Sequence, residues 1–333
     1  ALWGTPSMIE TTPQAAASGV LAYVAAVLDV QQRTLMPSGM RVIDVTPANW
    51  IAIRILPDRG FDLGQAHYRG VPLAWISQVG EVPPLADLEG KAWGDAFGGG
   101  LVVTCGLRNV GIPSEGHGLH GTFSHLRATD VVVDRVVEGD GYVTATATVV
   151  DDAPPSPLRV LRTITTYAGC GRVELVDVTT NVGDVDSEAP ILYHLNFGYP
   201  LWSGRTVVDL PVTSSVARDP DSVPALDSWT SPQAVESGPE WVLEHTPVAT
   251  DGVATARVIN ADLGVELAVS WDTSTLPIVN QWIDRNPSMA VMAIEPANCT
   301  TRGRAHERAT GTLPVLAAGE ERITSLVIEA RPI

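Results

Sequence analysis

Lysine is almost absent from this chain of 333 residues: Lys91 is the only one, and the other basic residues are arginines. Imine chemistry needs a lysine that is desolvated in a pocket. Lys91 instead lies in a loop-like segment, residues 89–94, EGKAWG. The sequence therefore argues against a Schiff-base mechanism.

Cysteine is also scarce, with three residues at distant positions, Cys105, Cys170 and Cys299. They are too few and too scattered for a disulfide framework or a CxxC zinc site. We therefore expect reduced thiols and a cytoplasmic location. Long apolar runs are missing as well, because the apolar stretch of residues 15–28 is too short to span a bilayer, so we predict no transmembrane segment.

Positive charge is in the minority, and the formal net charge is −17. This charge argues against binding to nucleic acid or to an anionic membrane surface, whose phosphates would be repelled. Hydrophobic residues make up 45% of the chain and charged residues 18%. This composition is typical of a globular protein with a sizeable core and not of a disordered chain.

Short segments rich in Val, Thr, Ile and Arg, separated by turn residues, run through the sequence. In residues 159–165 and 172–178, apolar and polar side chains largely alternate, which is typical of half-buried strands. Seven segments are predicted as strands: residues 40–45, 50–56, 130–137, 142–150, 158–167, 172–181 and 265–271.

The longer amphipathic patterns of βαβ units are missing, which disfavours a parallel α/β sheet. The sequence therefore predicts an all-β fold, a large antiparallel two-sheet β-sandwich. We expect one domain over residues 1–333, with residues 1–39 as an N-terminal extension packed on it. The polar, turn-rich segment 217–239 is predicted as a surface excursion between strands.

Three of the seven histidines fall in two turn-punctuated segments, residues 116–121 (GHGLHG) and 193–200 (YHLNFGYP). His194 and Asn196 interrupt an apolar stretch two residues apart, so in a strand their side chains share a face. Together they suggest a row that faces a ligand, although a satisfied core histidine is the competing interpretation.

His117 and His120 form an H-x-x-H pattern on a glycine-rich turn. As a zinc site this spacing is weak, because a third ligand would be needed. As a turn that contacts a sugar or an anion it is plausible, because the neighbouring glycines permit close approach of the backbone.

Glu295 follows an apolar run, residues 289–294. A carboxylate at the end of a buried strand is costly unless it is paired or hydrogen-bonded. One interpretation is an ion pair with Arg302, Arg304 or Arg308. The other is a general base that opens onto a cleft.

Two further polar pairs are candidates for ligand binding. Arg59 and Asp62 flank a glycine turn after a predicted strand and could grip vicinal hydroxyls, with a salt bridge within the turn as the competitor. Arg108 and Asn109 stand just ahead of the H-x-x-H pattern, where solvated loop side chains are the alternative.

Two tryptophans stand close in sequence to the polar clusters, Trp75 and Trp202. Either could supply a stacking face for a sugar ring, and both could equally belong to the core.

Six short segments, taken together, resemble the aldose 1-epimerase (galactose mutarotase)-like superfamily. More narrowly, they resemble a branch of it known mainly as a domain of unknown function. The resemblance spans the chain from about Arg41 to the C-terminus, and it implies a large β-sandwich, a supersandwich, with a sugar site on one sheet face. The segments are RGFD at 59–62, TCGL at 104–107, GLHG at 118–121, YHLN at 193–196, IEPANC at 294–299 and GR at 303–304.

The resemblance implies roles for three residues: His194 as general acid, Glu295 as general base, and His120 as a contact to the sugar. Opening a hemiacetal ring needs a base that takes the anomeric proton and an acid that protonates the ring oxygen. We therefore expect His194 and Glu295 to face one sugar from opposite sides. Arginines such as Arg59 and Arg304 could suit an acidic or phosphorylated sugar.

The sequence thus predicts a cofactor-independent, aldose 1-epimerase-like isomerase that uses His194 as acid and Glu295 as base. The partner is a small-molecule sugar or sugar derivative, and the protein is a monomer or homodimer. The predicted substrate-binding residues are Arg59, Asp62, Arg108, Asn109, His117, His120, Asn196 and Arg304.

Two alternatives stay open at this point. One is a metal-assisted isomerase or lyase that acts on a keto-sugar or sugar derivative, with a divalent ion held by His117, His120, His194 and Glu295. The other is a non-catalytic carbohydrate-binding protein, which the same sandwich could also form.

Overall fold

A computed structural model describes residues 28–48, 50–85, 92–136, 141–232 and 237–333. Lys91, residue 137 and residues 1–27 of the predicted N-terminal extension lie outside the described residues. None of the helices in these ranges is long and apolar enough to cross a membrane.

The described residues form mainly β-strands, with few and short helices. The helices are α1 (Ala92–Asp95), α2 (Arg304–Thr310) and two 3-10 turns, Phe123–His125 and Pro220–Asp227. The strands are β1 (Leu28–Leu35), β2 (Met40–Pro47), β3 (Ile51–Leu56), β4 (Asp62–Tyr68), β5 (Val71–Pro72), β6 (Val103–Gly106), β7 (Thr129–Val136), β8 (Tyr142–Asp151), β9 (Leu158–Tyr167), β10 (Arg172–Asn181), β11 (Ser187–Glu188), β12 (Ile191–Phe197), β13 (Thr206–Asp209), β14 (Val212–Ala217), β15 (Trp241–Pro247), β16 (Val253–Asn260), β17 (Val265–Asp272), β18 (Ile278–Asp284), β19 (Val291–Ala297), β20 (Val315–Leu316) and β21 (Glu321–Pro332).

These strands pair into four antiparallel sheets. The largest has eight strands in the order β13-β16-β17-β21-β10-β9-β8-β7, and the next has six in the order β14-β15-β18-β19-β12-β6. A five-stranded sheet runs β1-β2-β3-β4-β5, and β11 pairs with β20. Residues 28–35 of the predicted N-terminal extension thus form an edge strand of the five-stranded sheet.

Alternation of side chains along the strands decides which face meets the core. In β9 every second residue is buried, and the same pattern recurs in β10. The buried faces of these strands and the odd-numbered residues of β12 contribute to one large apolar cluster shared by the sheets. The predicted all-β sandwich is confirmed, and two of the predicted strands, 158–167 and 172–181, coincide with β9 and β10.

Strand β12 differs because every one of its residues is buried. Its odd-numbered side chains, such as Tyr193 and Leu195, join the main core. Leu192, on the opposite face, belongs to a second apolar cluster that includes Trp93 and Phe97. The outer face of the six-stranded sheet is therefore covered, and a site on this face is shielded from bulk water.

One buried ion network crosses the interior between the sheets. Arg162 of β9, which has no exposed surface, donates Nε and Nη2 hydrogen bonds to Asp177 of β10 at 2.8 and 2.7 Å. Its Nη1 donates to Asp62 of β4 at 2.6 Å, and the Tyr193 hydroxyl donates to Asp177 at 2.7 Å. The network ties β12 to the eight-stranded sheet and to β4.

A buried histidine makes the stability of this fold depend on pH. His245 of β15 is 1% exposed, and burial lowers its pKa from 6.5 to about 4. Below pH 6.5 the unfolded chain therefore binds a proton that the folded chain does not bind. We expect the free energy of unfolding to fall as pH decreases from 6.5 towards 4, with up to about 1.4 kcal/mol per pH unit from this one group.

His245→Gln should reduce this slope, measured by urea unfolding at several values of pH between 7 and 4. The slope should not vanish, because burial also lowers the pKa of His120 and His125 to about 3. His306→Gln, at an exposed position of α2, is the control. An equal change of slope in that variant would contradict the assignment to His245.

Candidate functional site

Two neighbouring strands bring His194 and Glu295 together. In the pairing of β12 with β19, Leu195 lies opposite Ile294 and Leu192 opposite Ala297, so His194 lies opposite Glu295. Their side chains project from the outer face of the six-stranded sheet, and His194 Nε2 is 3.0 Å from Glu295 Oε1. Both side chains are at least 95% buried, at 5% and 2% exposure. The contact is an ion pair whenever the imidazole is protonated.

The ion pair with Arg302, Arg304 or Arg308, one of the two interpretations of Glu295, does not occur. Arg302 donates to both carboxylate oxygens of Glu244, at 2.7 and 3.1 Å. Arg304 and Arg308 both bind Glu115 instead. His194 is thus the basic side chain that contacts Glu295 within the described residues.

Three buried polar atoms of this pair and of its neighbour Asn280 make no aligned hydrogen bond within the described residues. Oε1 of Glu295 and Nδ1 of His194 are fully buried and make no aligned hydrogen bond with any described residue. The same is true of Oδ1 of Asn280, which lies opposite Glu295 in the pairing of β18 with β19. Buried polar groups in folded proteins are normally hydrogen-bonded, and a catalytic role is one of the explanations for an exception.

A cavity of about 230 Å³ opens above the pair, and His194 and Glu295 both line it. Three aromatic rings form much of its wall: Trp93, Phe97 and Trp282. The His194 ring packs edge-on against two of them, with centroid separations of 5.5 Å to Phe97 and 5.3 Å to Trp282. Largely apolar walls with a few converging polar groups are typical of small-molecule sites.

His120 also lines the cavity. Its ring centroid is 5.8 Å from that of His194 and 4.7 Å from that of Trp93. Burial, followed by the nearby positive charges of His194 and Arg218, lowers the pKa of His120 to about 3, so the ring is neutral at pH 7. Its Nδ1 accepts a hydrogen bond from the Gly111 amide at 3.3 Å, which leaves Nε2 as the protonated nitrogen.

The backbone holds His120 in a conformation that few residues adopt. Its φ is 55°, in the left-handed region. The His120 amide donates to the Gly111 carbonyl, and its own carbonyl accepts from the Gly106 amide. The Asn109 side chain donates to the carbonyls of Ile112 and Gly118 and so shapes the same loop. Asn109 therefore supports the loop that presents His120.

Arg59 and Asp62 do not lie with the pair. Arg59 donates to the backbone carbonyls of Ser124 and Ala96 at 2.7 and 3.2 Å. Asp62 accepts from Thr104 and from Arg162 in the interior network. Neither residue lines the cavity. The hydrogen-bonding groups of both are used by partners elsewhere in the fold.

Arg108 and Arg304 are likewise engaged away from the cavity. Arg108 donates to the carbonyls of Ala153 and Ser156 and pairs with Asp151. Arg304 donates to the Arg108 carbonyl as well as to Glu115. These guanidiniums are buried hydrogen-bond donors that fasten loops together.

The two remaining predicted contacts also lie off the cavity lining. The Asn196 side chain donates to the carbonyls of Gly100 and His194, which stabilises the strand that carries His194. The backbone amides of His117 and Ser114 each donate a hydrogen bond to the carbonyl of the other residue. Of the predicted contacts, His120 lines the cavity together with His194 and Glu295, and the others do not line it.

Sequence reasoning missed several residues of the cavity wall. Arg218 lines it, although segment 217–239 is predicted from the sequence as a surface excursion, and so does Glu240, just beyond that segment. Trp282 was missed too, because it shares a face of β18 with Asn280, and only the pairing of β18 with β19 places Asn280 opposite Glu295. The tryptophans that the sequence suggested, Trp75 and Trp202, are buried outside the cavity lining.

Most of this chain matches one known protein family. The family model described as Domain of unknown function (DUF4432) matches residues 37–330. The chain belongs to this family. No curated protein is similar enough to this DUF4432 chain to be counted as a match.

Solved structures resemble the DUF4432 chain in fold. A candidate aldose 1-epimerase from Klebsiella pneumoniae has a TM-score of 0.84 at 22% identity, over 90% of this chain and 83% of that one. A galactose mutarotase-like protein from Clostridium acetobutylicum has a TM-score of 0.62 at 12% identity, over 92% and 100%. A galactose 1-epimerase from Lactobacillus acidophilus has a TM-score of 0.58 at 11% identity, over 92% and 99%. The galactose mutarotase-like fold is thus confirmed, and so is the predicted membership of a family described as a domain of unknown function.

The metal-assisted alternative requires at least three ligands in one place. Among the residues that the structure describes, no three His, Cys, Asp or Glu side chains are grouped so that they could hold a metal ion. The four suggested ligands do not converge, because His117 does not line the cavity that contains the other three. Within the described ranges, the four suggested ligands therefore do not form one donor set.

Proposed function

We propose that this chain is a carbohydrate isomerase that interconverts the anomers of an aldose by acid–base catalysis. The observation that carries the proposal is the contact of His194 with Glu295, 3.0 Å, at a cavity of about 230 Å³. The anomeric hydroxyl and the ring oxygen of an aldose are bonded to the same carbon atom. An acid and a base that act on them together must therefore be neighbours.

In the proposed reaction, Glu295 takes the proton of the anomeric hydroxyl while protonated His194 donates a proton to the ring oxygen. The bond between the anomeric carbon and the ring oxygen breaks, and the open-chain aldehyde forms. Rotation about the adjacent carbon–carbon bond followed by the reverse proton transfers closes the ring as the other anomer. His194 and Glu295 contact each other, so in this proposal both approach the sugar from the same side. The sequence had led us to expect them on opposite sides.

The rest of the cavity fits a sugar in this orientation. Trp93, Phe97 and Trp282 offer apolar surfaces to the carbon–hydrogen faces of the ring. Neutral His120 offers its Nε2 proton to a hydroxyl group. Both features support a sugar-binding site, and the resemblance in fold to aldose 1-epimerase-like proteins agrees with it.

The proposal is tested by the rate at which pure anomers reach equilibrium with the protein present. We expect α-D-glucose, α-D-galactose or another aldose in a panel to equilibrate faster than in buffer, as measured by polarimetry and by NMR exchange spectroscopy. Sugar binding without any acceleration would instead indicate a non-catalytic carbohydrate-binding protein. A rate that a chelator abolishes and a divalent ion restores would favour the metal-assisted alternative. The cytoplasmic location and the monomeric or dimeric state stay predictions.

A further inference from the structure

One arginine lies in the wall of the cavity, at the end of β14. Arg218 is the only Lys or Arg side chain among the described residues that line the cavity. Its amide donates to the Val242 carbonyl, and its own carbonyl accepts a hydrogen bond from Arg302 at 2.8 Å. The backbone of Arg218 is therefore held on both sides.

Two carboxylates fix the guanidinium of Arg218. Nε donates to Asp219 at 2.8 Å, and Nη2 donates to Glu240 Oε1 at 3.2 Å. The other oxygen of Glu240 accepts from the indole of Trp282 at 2.9 Å, and this ring packs against His194. Arg218, Glu240 and Trp282 thus form one connected piece of the cavity wall that reaches the proposed acid.

The guanidinium still has donors to offer. An arginine carries five N–H groups, two of them on Nη1. Nη1 of Arg218 donates no hydrogen bond to any residue in the described ranges, whereas Nε and Nη2 do. The side chain is 19% exposed, so the group is partly accessible. A fixed guanidinium with free donors is suited to recognise oxygen acceptors on a bound molecule.

The charge around Arg218 disfavours an anionic ligand. Asp219 and Glu240 already pair with the single positive charge of its guanidinium. Glu295 adds a further carboxylate to the cavity. A carboxylate or phosphate on the sugar would be placed among these groups, where like charges repel. The arginines that could have suited an acidic sugar, such as Arg59 and Arg304, are engaged outside the cavity.

We propose that Arg218 is a specificity-determining residue whose Nη1 donates to a hydroxyl oxygen of an uncharged sugar. This hydroxyl is not the anomeric hydroxyl, because the proposed reaction pairs the anomeric hydroxyl with Glu295 and the ring oxygen with His194. This inference rests on the proposed function, because it takes the ligand of the cavity to be a sugar.

The test is equilibrium binding, which does not depend on turnover. The probes are D-galactose, D-glucose, D-fucose (6-deoxygalactose), 2-deoxy-D-glucose and D-galacturonate. Binding is followed by the total tryptophan fluorescence, to which Trp93 and Trp282 of the cavity wall contribute. Arg218→Gln should weaken binding of the parent hexose by about 10- to 100-fold, the usual weight of one charged hydrogen bond. For the deoxy sugar that lacks the recognised hydroxyl, the same substitution should cause no further loss.

Two companion variants control the comparison. Arg205→Gln removes a guanidinium from an exposed arginine (74% exposed) that pairs with Asp262 and does not line the cavity, and it should bind as the wild type does. Arg218→Lys keeps the charge but not the fixed fork of donors, so we expect weaker binding than in the wild type. This variant also provides the comparison if Arg218→Gln does not fold.

Several results would overturn the inference. They are wild-type affinity in both Arg218 variants, an equal loss for every sugar including all deoxy forms, tighter wild-type binding of D-galacturonate than of D-galactose, and no binding of any probe. Turnover with unchanged affinity in Arg218→Gln would overturn this inference alone. Arg218-dependent binding without anomer exchange would overturn the isomerase proposal and leave the role of Arg218 standing.

Discussion

Glu295→Gln should lower the rate of anomer interconversion by about 10²–10⁴-fold, the usual weight of one general base. Glutamine has nearly the shape of glutamate but cannot take the anomeric proton. The Glu295 side chain is 2% exposed and lies 3.0 Å from His194, the proposed acid. The rate is measured by polarimetry, and sugar binding by tryptophan fluorescence in the same preparation.

A matched variant separates loss of the base from a general effect of the substitution. Glu329 lies in β21 of the eight-stranded sheet with a side chain that is 49% exposed, and Glu329→Gln should turn over at the wild-type rate. The urea midpoint of Glu295→Gln establishes that the variant is folded. Wild-type turnover in a folded Glu295→Gln protein would remove Glu295 from the role of base.

The second large effect is on stability, from the buried network around Arg162. Asp177→Ala should lower the free energy of unfolding by about 3–5 kcal/mol, because removing one partner leaves a buried guanidinium without sufficient compensation. Asp177 accepts two hydrogen bonds from Arg162 and one from Tyr193, and all three side chains are inaccessible to solvent. The measurement is urea unfolding at pH 7.

Asp134→Ala is the comparison for this prediction. Asp134 lies in β7, at the edge of the same sheet, and is exposed, so its replacement should change the free energy of unfolding by less than about 0.5 kcal/mol. If Asp177→Ala unfolds at the same urea concentration as Asp134→Ala, the network around Arg162 contributes little. Since Tyr193 precedes His194 in β12, a destabilised network should also disturb the candidate site.

The strands were largely predictable because their pattern is local. Alternation of apolar and polar residues over 158–167 and 172–181 is enough to define β9 and β10 and the face that each buries. Arg162 is the exception: it lies on the inner face of β9, between Val160 and Ile164. A charged residue in that position indicates a buried partner, but its partner Asp62 is 100 residues away in the chain.

The two residues of the proposed acid–base pair could be selected from the sequence, but their contact could not. His194 and Glu295 each interrupt an apolar run, and the resemblance to mutarotases suggested their roles. What places them 3.0 Å apart is the register of β12 against β19, which is a pairing of distant segments. Arg59, Arg108 and Arg304 were predicted to contact the ligand, but each donates to backbone carbonyls instead. A sequence does not show which carbonyls a buried guanidinium reaches.

The sequence alone determined the all-β class, the bounds of the most regular strands and the two residues that now form the proposed acid–base pair. These features depend on side-chain alternation and on polar residues within apolar runs, which can be read over a few neighbouring positions. The tertiary structure alone decided that Arg218, Glu240 and Trp282 line the cavity. It also decided that Arg59 and Asp62 bind partners outside it. The physical reason is that hydrogen bonds and packing between distant strands and loops select which polar groups remain free to meet a ligand.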